Sequence, residues 1–190
     1  MAPSSFFLTV LLYALTASAA AVGFILPKAG SLEHIPDFGP NPTNVSMYIY
    51  VPKKLAAKPG IVVAIYYCTG TAEAYYTGSP YAKLAEQYDF IQLHADMVAW
   101  TKKQYKVDCS KMFVTGSSSG AMMTNVMAAT YPELFAAGIA DSDVAAGCFM
   151  SATDQNQAWN STCSQGKSIA TPEVWAGVPK AMTGIQRPTP

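Results

Sequence analysis

The sequence has no excess of charge of either sign. Twelve Lys and Arg balance twelve Asp and Glu, so the formal net charge is +0 at pH 7. The basic residues form no stripe along the chain. Proteins that bind nucleic acid or anionic membrane surfaces through charge present a basic patch. We therefore expect neither partner, and a neutral substrate fits this composition better.

Long hydrophobic runs are also absent. The longest, Phe6 to Leu15, is about half of the roughly 20 residues that a membrane-spanning helix needs. It leads into Ala17-Ser18-Ala19, the small-x-small pattern that signal peptidase cleaves. The sequence thus predicts a signal peptide over residues 1–19, a secreted, extracellular protein and no membrane span. Residues 20–190 contain no linker or low-complexity run and predict a single domain.

Cysteine is scarce, and its positions do not suggest a metal site. The four cysteines are Cys68, Cys109, Cys148 and Cys163, and their spacing is not that of metal ligands. We expect no metal and no cofactor. Export makes disulfides possible, but four cysteines allow three pairings that spacing alone does not rank.

Two short motifs match the N-glycosylation acceptor pattern. They are Asn44-Val45-Ser46 and Asn160-Ser161-Thr162. In an exported chain this pattern marks surface loops. The sequence therefore predicts that Asn44 and Asn160 are exposed and glycosylated.

Short apolar runs alternate with helical patterns along the chain. Strands are predicted at Met47–Val51, Ile61–Tyr67, Phe90–Leu93, Lys111–Thr115 and Ala136–Ala140. Helices are predicted after Ser79-Pro80, with Ser79 as the cap and Pro80 in the first turn, at Ala95–Tyr105 and at Ser119–Thr130. The segment Leu32 to Asp37 has loop composition. This alternation predicts an α/β fold, with a mostly parallel sheet and helices on both faces. Ligands of such sheets bind at the carboxyl ends of the strands.

The motif Gly116-Ser117-Ser118-Ser119-Gly120 lies between a predicted strand and a predicted helix. Gly-x-Ser-x-Gly in this context places a serine on a tight, exposed turn, where it can act as a nucleophile. The pattern predicts Ser118 as the nucleophile. The backbone N–H of Ser119, at the helix start, is a natural donor to an oxyanion. An ordinary Gly-Ser turn that caps a helix is the structural alternative.

A serine nucleophile needs a base, and the sequence contains only His34 and His94. His34 lies in the segment of loop composition, and nothing connects it to Ser118. His94 ends a predicted strand, with Asp96 close by. In a hydrolase-like strand order, however, another strand separates His94 from the Ser118 strand, and two strand spacings amount to about 10 Å. The sequence therefore assigns no base.

Several segments together resemble the fungal acetylxylan esterases, which belong to the carbohydrate esterase family that also includes feruloyl esterases. These segments are Asn41-Pro42-Thr43-Asn44, Met47-Tyr48-Ile49-Tyr50-Val51-Pro52, Cys68-Thr69-Gly70-Thr71-Ala72 and the block Phe113–Phe135. The resemblance implies the α/β-hydrolase fold, with Ser118 as the acyl-accepting nucleophile and Tyr67, Cys68 and Thr69 in the oxyanion loop. It also implies deacetylation of acetylated xylan, with feruloyl ester cleavage as an alternative. We expect a monomer, although nothing in the sequence decides the oligomeric state.

The chain departs from the family pattern at three internal places. Tyr66 stands where the family has His. The stretch between Leu93 and Met97 is shorter than in the family and lacks a Cys that would pair with Cys68. Asp141-Ser142-Asp143 replaces what is usually Tyr-Ser-Gly. We therefore expect an altered oxyanion loop, an unpaired Cys68 and added negative charge at the edge of the site.

The resemblance fades after Met182, and the sequence stops at Pro190. The family's catalytic Asp and His belong to segments beyond that point. We therefore expect a sheet truncated before its last strands, with Ala136–Ala140 as an exposed edge, and an esterase with impaired catalysis. The alternative is a non-catalytic relative that binds polysaccharide, or a fragment produced by a shortened or misread gene.

By the same resemblance, Cys148 and Cys163 form a disulfide, because both match family positions. Their bridge closes a loop of about 15 residues, worth roughly 3 kcal/mol in a chain-entropy model. Cys109 has no family counterpart, so its pairing stays open. The aromatic residues Tyr66, Tyr67, Tyr75, Tyr76 and Trp159 either stack on sugar rings or pack in the core.

Overall fold

The computed structural model describes residues 26–42, 44–94, 97–149, 159–168 and 170–182. The predicted signal peptide, residues 1–19, and Asp96 lie outside these ranges. In chain order the elements are β1 (Leu32–Ile35), β2 (Met47–Tyr50), β3 (Ile61–Ile65), α1 (Ala72–Gly78), α2 (Tyr81–Tyr88), β4 (Ile91–His94), α3 (Val98–Gln104), β5 (Met112–Ser117), α4 (Ser119–Thr130), β6 (Ala137–Asp141), α5 (Ser161–Ser164) and α6 (Pro172–Met182).

The strands form one mixed sheet in the order β1-β2-β4-β3-β5-β6. Strands β4, β3, β5 and β6 run parallel, and β2 and β1 continue the sheet in antiparallel fashion. The predicted mostly parallel sheet is confirmed. Because β3 lies between β4 and β5, the expected separation of His94 from the Ser118 strand is confirmed as well.

Both faces of the central strands are covered. Successive residues of a strand point to opposite faces, and Ile61, Val62, Val63 and Ala64 of β3 are all buried. Near-continuous apolar burial of this kind is typical of parallel strands between two helical layers. The core extends across the sheet through further buried side chains of β2, β4 and β5, which include Met47, Ile49, Ile91, Leu93, Met112 and Val114.

Strand β6 is the edge of the sheet within the described part of the chain. It pairs with β5 on one side, and Ala137, Gly138 and Ile139 are exposed. Ile139 has 59% of its surface exposed. The predicted exposed edge is therefore confirmed.

Local composition misled the prediction at three places. The segment predicted as a loop, Leu32 to Asp37, contains β1, because residues 32–35 pair with β2 and this long-range pairing is invisible in local composition. Helix α1 was not predicted; Thr71 caps it by accepting a hydrogen bond from the N–H of Ala74 at 3.1 Å. Ser79 ends α1 instead of capping α2, whose N-cap is Pro80.

The predicted disulfide is confirmed, and Cys148 and Cys163 are bonded with 6.0 Å between their Cα atoms. Cys68 and Cys109 are free and exposed in the structure, and the absence of a partner for Cys68 stays a prediction. Asn44 and Asn160 are both exposed, as acceptor sites require, and their glycosylation stays a prediction. None of the helices in the described ranges is long and apolar enough to cross a bilayer.

Candidate active site

Ser118 lies on a sharp turn between β5 and α4. Its backbone has φ 55 and ψ −118, a region that residues other than glycine rarely occupy. Two hydrogen bonds hold the turn. The Ser118 N–H donates to the carbonyl of Asp141 at 2.9 Å, and the Ser118 carbonyl accepts from the N–H of Met122 at 3.0 Å. The predicted order of strand, turn and helix is confirmed, and the strained backbone is typical of functional positions.

The two glycines of the motif are required because a Cβ atom at either position would clash with backbone atoms, and not because the turn needs a flexible residue. A Cβ atom on Gly116 would lie 2.3 Å from the carbonyl oxygen of Gly120, and one on Gly120 would lie 2.1 Å from that of Ile65. Neither neighbour is a side chain that could move aside. The pattern Gly-x-Ser-x-Gly therefore allows α4 to begin directly against β5 and the end of β3.

The loop after β3 packs against the start of α4. A Cβ on Gly120 would also approach the carbonyl of Tyr66 to 2.8 Å, so this loop and the Ser118 turn are in direct contact. The N–H of Gly70 donates to the carbonyl of Tyr67 at 2.9 Å and closes a turn through Cys68 and Thr69.

The predicted oxyanion residues therefore lie at the same edge of the sheet. Tyr67, Cys68 and Thr69 are exposed. Ser119 lies in the first turn of α4, where backbone N–H groups have no acceptor within the helix. The structure thus brings together the residues proposed to stabilise an oxyanion, and their role stays a prediction.

A cavity of about 450 Å³ lies beside the Ser118 turn. It is lined by α1 and α2, the loop after β3, and the ends of β5 and β6. The lining residues with polar side chains are Tyr67, Tyr75, Ser79, Tyr81, Thr115, Ser117 and Asp141.

Hydrogen bonds order the polar groups of this cavity. The hydroxyls of Tyr81 and Thr115 are 2.6 Å apart, and the Ser117 hydroxyl donates to a carboxylate oxygen of Asp141 at 3.4 Å. Burial raises the pKa of Tyr75, the neighbouring Tyr81 and Asp141 raise it further, and a hydrogen bond with Thr115 acts in the opposite direction.

His94 is fully buried at the end of β4. The side-chain amide of Gln92 donates to its Nε2 at 2.9 Å, and its Nδ1 has no hydrogen-bond partner. Burial lowers the pKa of His94 to about 4. The nearby backbone of Ala64 raises this pKa, but by less than burial lowers it. The ring is therefore neutral at pH 7, and β3 separates it from Ser118.

His34 is equally remote from Ser118. It is exposed on β1, at the opposite edge of the sheet from β6, and its ring centroid is 4.9 Å from that of Tyr48. Neither histidine of the chain is therefore placed as a base for Ser118. Within the described ranges, no group of three or more His, Cys, Asp or Glu side chains could hold a metal ion.

Comparisons with known proteins agree with this geometry. The model of the prolyl oligopeptidase family matches residues 50–176. A probable acetylxylan esterase A from Aspergillus clavatus is 58% identical over 224 residues, covering 100% of this chain and 73% of that protein. Acetylxylan esterase A from Aspergillus oryzae is 56% identical and covers 94% of this chain and 68% of its own length. This chain belongs to the acetylxylan esterase family.

Solved structures extend the comparison. The structure of the acetyl xylan esterase from Aspergillus awamori matches with a TM-score of 0.76 and 53% identity, over 84% of this chain and 69% of that one. A fluorophosphonate-binding serine hydrolase from Staphylococcus aureus matches with a TM-score of 0.55 at 12% identity, over 83% of this chain and 73% of that one. The second match concerns the fold alone and agrees with the predicted α/β-hydrolase sheet.

The alignment with the Aspergillus clavatus acetylxylan esterase also bears on the predicted internal shortening. It spans 224 positions, which exceeds the 190 residues of this chain by 34. The relative therefore has stretches without a counterpart here. This agrees with a shortened segment in this member of the family, and its position after Leu93 stays a prediction.

Sequence reasoning missed the cavity because it missed α1. Tyr75 belongs to α1, and without that helix nothing placed it beside Thr115. The helix-capping side chain of Thr71 was the available signal. Asp141, which was expected at the edge of the site, lines the cavity. Asp143 accepts a hydrogen bond from Asn125 of α4. That these two residues depart from the acetylxylan esterase pattern stays a prediction.

Proposed function

We propose that this chain is a secreted serine esterase that acts on the acetyl groups of acetylated xylan, and that its turnover is low. The observation that carries the proposal is the strained Ser118 turn in a chain 58% identical to a probable acetylxylan esterase. The low turnover follows from the position of the two histidines, since neither is placed to accept the Ser118 proton. Because the similar curated proteins are acetylxylan esterases, we prefer acetyl over feruloyl esters.

The proposed reaction is acyl transfer through Ser118. The hydroxyl oxygen of Ser118 attacks the acetyl carbonyl carbon, the ester C–O bond breaks, and the sugar hydroxyl leaves with the proton. Water then hydrolyses the acetyl-serine, which releases acetate and restores the Ser118 hydroxyl. The N–H of Ser119 and the loop Tyr67–Thr69 are the proposed donors to the developing oxyanion.

The rate that a serine hydrolase keeps without a complete triad supports slow turnover. A serine hydrolase without a complete triad retains about 10³- to 10⁴-fold acceleration over water, from the oxyanion hole and substrate binding. Its loss relative to the intact triad is on the order of 10⁴- to 10⁶-fold. We therefore expect hydrolysis that is detectable with an activated ester and very slow with acetylated xylan.

The test is hydrolysis of 4-nitrophenyl acetate and acetylated xylan by purified protein beside Ser118→Ala. The matched control is Ser110→Ala, an exposed serine in the loop that precedes β5, at the far end of that strand from Ser118. We expect Ser118→Ala to abolish the rate above background and Ser110→Ala to leave it unchanged. Equal rates for the parent protein and Ser118→Ala would remove the esterase proposal.

Polysaccharide binding without hydrolysis is the second candidate function. It is favoured by an open cavity with three tyrosines beside a serine that lacks a base. Retention on insoluble acetylated xylan, together with a rate that Ser118→Ala does not change, would support it over the esterase.

A further inference from the structure

The cavity beside Ser118 has the chemical character of a sugar-binding site. Tyr67, Tyr75 and Tyr81 supply aromatic surface, and aromatic side chains with a polar end suit ligands that have both apolar and hydroxyl-bearing surfaces. Tyr67 is 40% exposed, so its ring is accessible from solvent. A volume of about 450 Å³ falls within the range of small-molecule pockets.

Hydrogen-bonding groups are present along the same walls. Thr115, Ser117 and Asp141 offer hydroxyl and carboxylate oxygens from the ends of β5 and β6. These groups match the hydroxyls of a pyranose ring.

The charge of the cavity is negative and has no nearby counter-charge among its lining residues. Asp141 is the only Asp or Glu among the lining residues, and none of the lining residues is Lys or Arg. The titratable groups that face Asp141 from α1, α2 and the loop after β3 are tyrosines. His94 lies behind Tyr75, with 6.0 Å between their ring centroids, and it is buried and neutral.

The neighbouring carboxylate does not offset this charge. Asp143 is held by the side-chain amide of Asn125, which adds no positive charge. A ligand that carries a carboxylate would therefore meet like charge at the cavity wall, whereas a neutral sugar would meet hydrogen-bond acceptors. Like charges placed together disfavour binding and act as a selectivity device.

We propose that this cavity binds a neutral sugar unit next to the ester, and that Asp141 selects against sugar units that bear a carboxylate. The inference rests on the proposed polysaccharide substrate and adds its charge preference. It gives a role to the aspartate that distinguishes this chain from the family pattern. The selectivity belongs to binding and does not depend on turnover at Ser118.

The experiment measures binding to the full chain with the Ser118→Ala substitution, which removes hydrolysis. Xylotetraose and a xylooligosaccharide of equal length that carries one glucuronic acid are titrated by calorimetry at low salt. We expect the neutral sugar to bind more tightly, and Asp141→Asn to reduce that preference about 1.4- to fivefold, the range that corresponds to exposed charge pairs. Added salt should reduce it as well.

The matched control is Asp37→Asn, which removes an exposed aspartate that lies next to β1, at the opposite edge of the sheet. It should leave the preference unchanged. An unchanged preference in Asp141→Asn, or no binding of either sugar, would overturn the subsite. Hydrolysis of 4-nitrophenyl acetate is independent of these sugars. A protein that hydrolyses the ester but shows no sugar preference therefore contradicts the subsite alone, and the reverse result contradicts the esterase alone.

Discussion

Burial of His94 should make the protein lose stability as the pH falls from neutral to mildly acidic. The folded state holds the ring neutral because burial lowers its pKa from 6.5 to about 4. In the unfolded chain the ring takes up a proton near its ordinary pKa. Between these two values the unfolded state binds more protons than the folded state, so the free energy of unfolding decreases as the pH decreases.

The magnitude follows from the two pKa values of His94. Each unit of difference corresponds to about 1.4 kcal/mol. The full effect, reached below about pH 4, is therefore roughly 3 kcal/mol, and about 2 kcal/mol of it falls between about pH 7.5 and pH 5. For a domain of this size that is a large part of a total stability on the order of 5–15 kcal/mol.

The assay is urea unfolding followed by circular dichroism at several pH values in this range. The perturbation is His94→Gln, which keeps a polar side chain able to bond Gln92 and removes the titrating ring. We expect the parent protein to lose about 2 kcal/mol over the range and His94→Gln to lose much less, whatever its stability at neutral pH. His34→Gln, on the exposed edge strand β1, is the matched control and should retain the loss. Parallel pH profiles for the parent protein and His94→Gln would refute the reasoning.

Two further predictions concern the Ser118 turn and the sheet edge. Gly120→Ala should destabilise the fold by about 1–3 kcal/mol or more, because the added Cβ would lie 2.1 Å from the backbone carbonyl oxygen of Ile65. The control is Gly177→Ala, where no atom lies within 4 Å of the added Cβ. In thermal unfolding this control should be neutral or stabilising. Ile139→Lys should lower light scattering of concentrated protein, because a charge on an apolar edge strand opposes intermolecular strand pairing. Val174→Lys, an exposed apolar residue of α6, should have little effect, and equal scattering for both variants would contradict the assignment to the edge.

The sequence predicted the parallel part of the sheet well because its signals are local. Apolar runs such as Ile61–Ile65 are long enough to mark buried strands, and Gly116 and Gly120 mark the turn whose helix runs over Ser119–Thr130, as predicted. The strand expected between His94 and the Ser118 strand came from a hydrolase-like strand order, and β3 occupies that position. These features depend on residues that are close in the chain or on a motif with strict contacts.

The rest depended on contacts between distant residues. Strand β1 exists because it pairs with β2, and the short sequence Leu32–Ile35 has little strand pattern of its own. His94 was interpreted as an ordinary polar residue at a strand end, whereas its complete burial comes from packing by elements such as α1, which sequence reasoning missed. The cavity was unpredicted for the same reason, since Tyr75 and Asp141 meet only across the folded sheet.

The hydrogen bond from the Ser118 N–H to the carbonyl of Asp141 ties Ser118 to β6, an edge strand of the described sheet. Edge strands and chain segments with few neighbours open first in local fluctuations. Each opening of β6 would release the strained backbone of Ser118 to relax towards an ordinary turn. Fraying of β6 would therefore loosen the turn that carries Ser118, and a partner that lies along β6 would act on this turn without touching it.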